Sequence, residues 1–301
     1  MKAVQFDTYG GAEVMHLVET AKPVPSADQI RIKVKATAVN PSDWKRRKGL
    51  YREFETITFP AGVGVEAAGV VDVVGPDVAN VAVGDAVFGY GDNTVAEYAL
   101  LTHWVKKPES MAFEIAAGLA VTSETAWRAL DDLTAPAGAT ILINGAAGGI
   151  GSAAVQLARM RGLTVIGTSS ERNHNLLRRL GAIPTTYGPG LAARARALAP
   201  QGIYGAIDIA GSGIIPELIE ITGNPVRVVS VADFSVESFG AKFCKGPPRD
   251  AEAVLEQVVR LWSDGAFEIN VEKTFPISET AAAHRLSEGG HAAGKIVITV
   301  E

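Results

Sequence analysis

Hydrophobic positions along the chain fall into two rhythms. Up to about residue 110, short β-branched runs are cut by Gly, Pro, Asn and Asp, and residues 29–36, 68–74, 86–90 and 96–101 read as strands. From Phe113 the spacing turns helical, and residues 113–130 hold few breakers. Beyond them strand and helix alternate: strand 140–143, helix 150–161 stopped by Gly162, strand 163–168, helix 172–180 closed by Gly181. Strands at 206–209 and 226–231 follow, with a helix near 216–221 between them. Repeated strand–helix–strand units require a parallel sheet covered on both faces, a doubly wound α/β fold. Residues 251–262 form an amphipathic helix whose Val254, Val258 and Leu261 face a core, and 295–300 form a closing strand.

Composition narrows the class. With 301 residues, 47% hydrophobic and 20% charged, the chain is a globular protein with ample core. A net charge of −5 and no Lys/Arg-rich arm argue against nucleic acid or an anionic membrane as partner. The single cysteine, Cys244, rules out an intramolecular disulfide and fits a reducing, cytoplasmic setting. The opening MKAVQFDTYGG reads as strand and turn, without the apolar core of a signal peptide. The charge-free run 139–158 approaches membrane-spanning length, but Asn144 and the glycines make it a poor spanning helix.

Residues 144–151, Asn-Gly-Ala-Ala-Gly-Gly-Ile-Gly, stand between a strand and a helix inside a βαβ unit of roughly 30 residues, the setting of a dinucleotide fingerprint. Ala146 occupies the usual first glycine position; Gly148 and Gly151 match the other two. Gly148 lets backbone approach a pyrophosphate, and Gly151 lets helix and strand pack closely. The N–H groups of Ala147, Gly148, Gly149 and Ile150 are the expected phosphate donors. A tight turn against a helix is the plain alternative; the alternation on either side favours cofactor binding.

The end of the next strand bears on which cofactor. NAD sites place an acid there, about 20 residues on, to hold the ribose 2′-hydroxyl. Here the position is Ser169, which does not repel a 2′-phosphate, and Arg172 can contact one. Ser170 caps the next helix, faces the phosphate, or does both, while Glu171 could turn toward a 2′-hydroxyl. NADPH is the expected cofactor. Ala210, Gly211, Val231 and Ala232 end further parallel strands and are expected to face ribose and nicotinamide.

Five motifs in order, Val39-Asn-Pro-Ser-Asp43, Gly64-Val-Glu-Ala-Ala-Gly-Val-Val71, Val83-Gly-Asp-Ala-Val-Phe-Gly89, the glycine loop and Gly294-Lys-Ile-Val-Ile298, span nearly the whole chain. Their combination resembles the zinc-free quinone oxidoreductases of the medium-chain dehydrogenase/reductase superfamily. The resemblance implies a GroES-like, β-rich catalytic domain at 1–120 and 247–301 and a Rossmann domain at 121–246. It also implies a homodimer joined through the Rossmann sheet, with residues 238–245 as the edge strand. Zinc-dependent members of the superfamily ligate zinc at positions matching Asn40, Val65 and Val121, and valine cannot bind zinc. The four-cysteine zinc loop is missing, and His16, His103, His174, His284 and His291 lack ligand spacing, so no metal is expected.

Without a Lewis acid, an unactivated carbonyl leaves its developing alkoxide unstabilised, whereas a quinone or α,β-unsaturated carbonyl spreads the charge. The expected activity is therefore NADPH-dependent quinone reduction. Reduction of an enone or enoyl C=C double bond is the rival, and a non-catalytic NADPH-binding sensor the third reading. By the resemblance, Asn40 lines the pocket beside the nicotinamide, Thr125 approaches the ring, and Tyr187 lies near the 2′-phosphate. Tyr51 is a candidate proton or hydrogen-bond donor to substrate. Each has a plainer alternative: Asn-Pro starts a turn, Thr125 is a helix-surface hydroxyl, and both tyrosines are loop or strand-end aromatics. Relatives often carry tyrosine just after Asn-Pro, where this chain has Trp44. Glu66 is expected to support the fold rather than move protons.

Overall fold

A computed structural model describes residues 1–301. The chain forms two compact units: Met1–Val121 with Ala251–Asp264 and Ile269–Glu301, and Thr122–Asp250 with Gly265–Glu268.

In the first unit, strand Ile30–Val39 pairs antiparallel with both Glu66–Val74 and Tyr98–Lys106, and Ala86–Asp92 bridges those two. The four strands close on one another and so hide edges that would otherwise stay unpaired. Alternation turns Ile30, Ile32, Val34, Val87 and Leu101 into their shared core. Lys295–Thr299 adds antiparallel to Ile30–Val39, and Val271–Pro276 adds parallel to it. A separate three-stranded sheet runs Met15–Glu19, Lys2–Phe6, Ala61–Gly62.

The second unit is the expected doubly wound sheet, all parallel, in the order Ile183–Thr185, Thr164–Thr168, Thr140–Asn144, Gly205–Asp208, Val228–Ser230, Lys242–Phe243. The 139–158 run is strand, turn and helix, and no helix of the chain is long and apolar enough to cross a membrane.

Several boundaries depart from the sequence reading. The helix expected at 113–130 is two, Phe113–Ala116 and Ala120–Leu133. The break carries Gly118, where an added Cβ would lie 3.0 Å from both Ile269 and Lys295 side chains. The helix expected from Arg172 begins at His174, after a 3-10 turn over Glu171–Asn173. The 238–245 edge strand shrinks to Lys242–Phe243, because Gly240 (φ +74°) ends a 3-10 turn over Val236–Phe239.

The glycine loop is fixed by one close approach. A Cβ on Gly151 would stand 2.1 Å from the Gly145 carbonyl oxygen and 2.8 Å from Ala146 backbone, whereas one on Gly148 would meet only that oxygen, at 3.6 Å. Gly151→Ala is therefore expected to lower stability by about 1–3 kcal/mol through backbone displacement, and Gly148→Ala by well under 1 kcal/mol. Urea unfolding of the two variants checks this, and equal losses would contradict it.

Candidate functional site

The first candidate site lies at the carboxyl end of the parallel sheet. Strand Thr140–Asn144 is entirely buried, and Gly145 (φ +81°) turns the chain toward helix Gly149–Met160. Gly148 is the helix N-cap and no side chain caps it. The N–H groups of Gly149 and Ile150 thus head a twelve-residue helix without internal acceptors, and Ala147, 5% exposed, forms the loop before them. Open space above Gly148, uncapped donors and the positive end of the helix dipole fit a phosphate group.

Ser169 follows strand Thr164–Thr168 directly and is buried; its N–H donates to Thr185 O at 3.0 Å and its hydroxyl to Ser170 O at 3.0 Å. Ser170 occupies the N-cap position of the 3-10 turn but makes no side-chain cap bond; its hydroxyl accepts from Asn173 Nδ2 at 3.3 Å. Arg172 projects from that exposed turn. Tyr187 is 54% exposed, two residues past strand Ile183–Thr185. Ala210 and Gly211 (φ +65°) follow strand Gly205–Asp208, and Val231 and Ala232 follow Val228–Ser230. All these residues belong to the second unit and stand at the carboxyl ends of its strands.

The second candidate site is a cavity of about 500 Å³ in the first unit, lined by Asp43, Arg46, Tyr51, Glu55 and Asp92 beside the apolar Val63 and Val65. Helix Pro41–Arg47 carries much of it. Asn40 is the N-cap and Asp43 the N3 residue, whose carboxylate accepts the Asn40 N–H at 2.7 Å. Burial pushes the Asp43 carboxyl up to about 7, against the opposing pull of the Asn40 N–H; Glu66 raises it further. Burial, with the charges of Asp43 and Glu55, pushes the Tyr51 phenol up to about 12, so it stays a hydrogen-bond donor near neutrality.

Asn40 is 2% exposed, with its amide turned into the interior. Its Oδ1 accepts from Lys295 Nζ at 2.7 Å, and its Nδ2 donates to Glu66 Oε1 at 2.9 Å. Lys295 also donates to Glu66 Oε1 at 2.9 Å, and the Val121 N–H reaches Glu66 Oε2 at 2.9 Å. Glu66 is thus fully buried, with both carboxylate oxygens bonded. Asp43, Arg46 and Lys295 were not singled out from the sequence for chemistry, although an acid three residues after an N-cap Asn is a readable signal for the first. The structure brings Tyr51 together with Asp43 around one cavity. Thr125 is half-buried on helix Ala120–Leu133, in the other unit. No group of three or more His, Cys, Asp and Glu side chains is arranged to hold a metal.

Comparison with known proteins agrees with this architecture. Residues 26–109 match the alcohol dehydrogenase GroES-like domain, and residues 182–298 match the zinc-binding dehydrogenase family. The chloroplast envelope quinone oxidoreductase homolog of Arabidopsis thaliana is 31% identical over 99% of this chain and 98% of its own length. The chain belongs to the quinone oxidoreductase-like medium-chain dehydrogenases/reductases. This quinone oxidoreductase-like chain also matches the structure of the quinone oxidoreductase from Coxiella burnetii, at 30% identity, TM-score 0.85, with 100% and 99% of the two chains covered. A mycobacterial protein complexed with NADPH shares the fold at 23% identity and TM-score 0.87, over 99% of this chain and 100% of that one. Membership makes the chain an oxidoreductase. The zinc-binding description of the family stands beside Asn40, Val65 and Val121, of which the two valines offer no metal donor.

Asp43 yields a pH prediction. Its folded pKa is raised from 3.8 to about 7, so between those values the unfolded chain has lost a proton that the folded chain keeps. Asp43 therefore subtracts from stability progressively as pH rises from about 4 to about 7. Asp43→Asn is expected to gain on the wild type across that window, by a few kcal/mol at its upper end, and to level off above it. Urea midpoints at a series of pH values measure the difference; one independent of pH contradicts the burial argument.

Proposed function

We propose that this oxidoreductase is an NADPH-dependent quinone reductase that transfers hydride to a conjugated carbonyl without zinc. The observation that carries the reading is the uncapped helix start at Gly148, on a chain similar from end to end to a quinone oxidoreductase homolog. The Gly149 and Ile150 N–H groups hold the pyrophosphate against the backbone of Ala147 and Gly148, with Ala210, Gly211, Val231 and Ala232 along the ribose and nicotinamide. Ser169, Ser170 and Arg172 receive the 2′-phosphate, with Tyr187 beside it. When bound, the cofactor supplies the hydride. Tyr51 donates a hydrogen bond to the acceptor oxygen, Asn40 acts from behind the cavity by fixing the helix that carries Asp43, and Thr125 is kept as a contact to the nicotinamide. The homodimer and a reducing, cytoplasmic compartment belong to the same proposal.

Steady NADPH oxidation against a panel of quinones and enones tests the activity. Turnover confined to enones would move the assignment to a C=C double-bond reductase, and tight binding without turnover would make the protein an NADPH sensor. Arg172→Ala is expected to raise the NADPH dissociation constant roughly ten- to hundred-fold, the worth of a charge-assisted contact of about 1.5–3 kcal/mol. NADH affinity should stay within about twofold; parallel losses for both would remove Arg172 from the 2′-phosphate site. Gly148→Val, whose side chain enters open space on the protein side, should abolish dinucleotide binding while the far-ultraviolet spectrum is kept.

A further inference from the structure

Four neighbouring strands of the parallel sheet each end in a buried polar side chain: Thr168, Asn144, Asp208 and Ser230. They form one hydrogen-bonded belt across the sheet. The Thr168 hydroxyl donates to Asn144 Oδ1 at 2.7 Å, Asn144 Nδ2 donates to Asp208 Oδ1 at 2.9 Å, and from the other side the Ser230 hydroxyl donates to Asp208 Oδ2 at 2.8 Å. The belt in turn accepts backbone N–H groups from three loops. Gly145 reaches Thr168 Oγ1 at 3.1 Å, Gly211 reaches Asp208 Oδ1 at 3.1 Å, and Ala232 and Asp233 reach Ser230 Oγ at 3.2 and 3.0 Å.

The direction of every bond follows from one group. A carboxylate only accepts, so Ser230 has to spend its hydrogen on Asp208, which leaves its lone pairs for two loop N–H groups. For the same reason Asn144 turns Nδ2 toward Asp208 and Oδ1 toward Thr168. Thr168 then donates its hydrogen to Asn144 and keeps a lone pair for Gly145. This arrangement of the hydrogens gives every member of the belt a partner, and at this depth an unsatisfied member is expensive.

We propose that Asp208 is a positioning residue, which through Asn144, Thr168 and Ser230 sets the conformations of the three loops that follow these strands. The inference rests on the cofactor reading above in so far as those loops face the nicotinamide cofactor. The belt itself can be tested without it. Asp208→Asn keeps size and shape but places an N–H₂ where an acceptor stood, so one side of the belt has to reverse.

Amide hydrogen exchange of the ligand-free protein reads the coupling directly. In Asp208→Asn, exchange is expected to accelerate at least about tenfold on the side that reverses, either at Gly145 and Gly211 together or at Ala232 and Asp233 together. Ile209, whose N–H is bonded to the Asn144 carbonyl at 3.0 Å, should be unchanged. Dinucleotide affinity, measured with NADPH, should fall about tenfold or more, and kcat should change less than KM for NADPH. Ser230→Ala should accelerate exchange at Ala232 and Asp233 and weaken NADPH, Ser230→Thr should restore both, and adding Ser230→Ala to Asp208→Asn should cost little more. Unchanged exchange at all four of these N–H groups in Asp208→Asn, or acceleration at Gly211 without Gly145, would overturn the proposal, since a merely local role for Asp208 predicts the latter. If Asp208→Asn does not fold, the Ser230 pair decides: equal behaviour of alanine and threonine overturns it. Wild-type protein that binds no NADPH would fail the cofactor reading alone and leave the exchange result to stand by itself.

Discussion

The approach of the Gly145 carbonyl to the α-carbon of Gly151 leaves no room for a side chain, and the cofactor-side geometry depends on it. Helix Gly149–Met160 can start directly on the end of strand Thr140–Asn144 only because that contact is bare, so its first N–H groups project beyond the sheet. The departure from the usual fingerprint, alanine at 146, follows from the same packing. Gly145 (φ +81°) already provides the left-handed turn, so the next residue needs no conformational freedom. Ala146 is fully buried instead, and its methyl would lie 2.8 Å from a Cβ on Gly167 of the adjacent strand. Gly167 leaves the room that the Ala146 methyl takes, and the close packing is retained.

In the first unit the comparable constraint is electrostatic. Glu66 is fully buried, and a carboxylate at that depth needs a partner. The chain provides one covalently, the Lys295 ammonium, which also holds the Asn40 amide at 2.7 Å. Asn40 is the position that matches the first zinc ligand of the metal-dependent relatives. A cation of the chain's own therefore stands against that side chain, and a metal ion approaching the same amide would meet like charge as well as two valines. Because Asn40 also caps helix Pro41–Arg47, the lysine at the far end of the sequence fixes the helix that brings Asp43 and Arg46 to the cavity.

What the sequence made legible follows from where the determining forces act. Strands 140–143 and 163–168 were readable to within about a residue because they are buried on both faces and bounded by glycine. Strand Ile183–Thr185 went unread because it contains Pro184, tolerated only because the strand lies at the sheet edge, and that is a fact of tertiary order. Val271–Pro276 went unread because Glu272, Lys273 and Thr274 are exposed and leave no apolar alternation. The glycine loop could be located from local pattern alone. The Lys295–Asn40 contact joins residues 255 positions apart, and nothing in a lysine before Ile-Val-Ile distinguishes a buried counter-ion from a solvated strand end.

The cavity chemistry bears on the choice between acceptors. Hydride addition to a quinone leaves charge on an oxygen, and the two hydrogens the product gains, one from the hydride and one proton, both finish on oxygens that exchange with water. An enone leaves charge on oxygen as well, but its product needs a proton delivered to the α-carbon, a step that demands an acid positioned over that atom. Tyr51, with its phenol pushed up to about 12, is suited to hydrogen-bonding an oxyanion and is a poor source of a proton for carbon. Asp43 has a more accessible proton, with its carboxyl at about 7, but one of its oxygens is committed to the Asn40 N–H. On the proposed reading these groups serve to stabilise charge at oxygen, which is all a quinone requires, whereas an enone requires an acid over carbon as well.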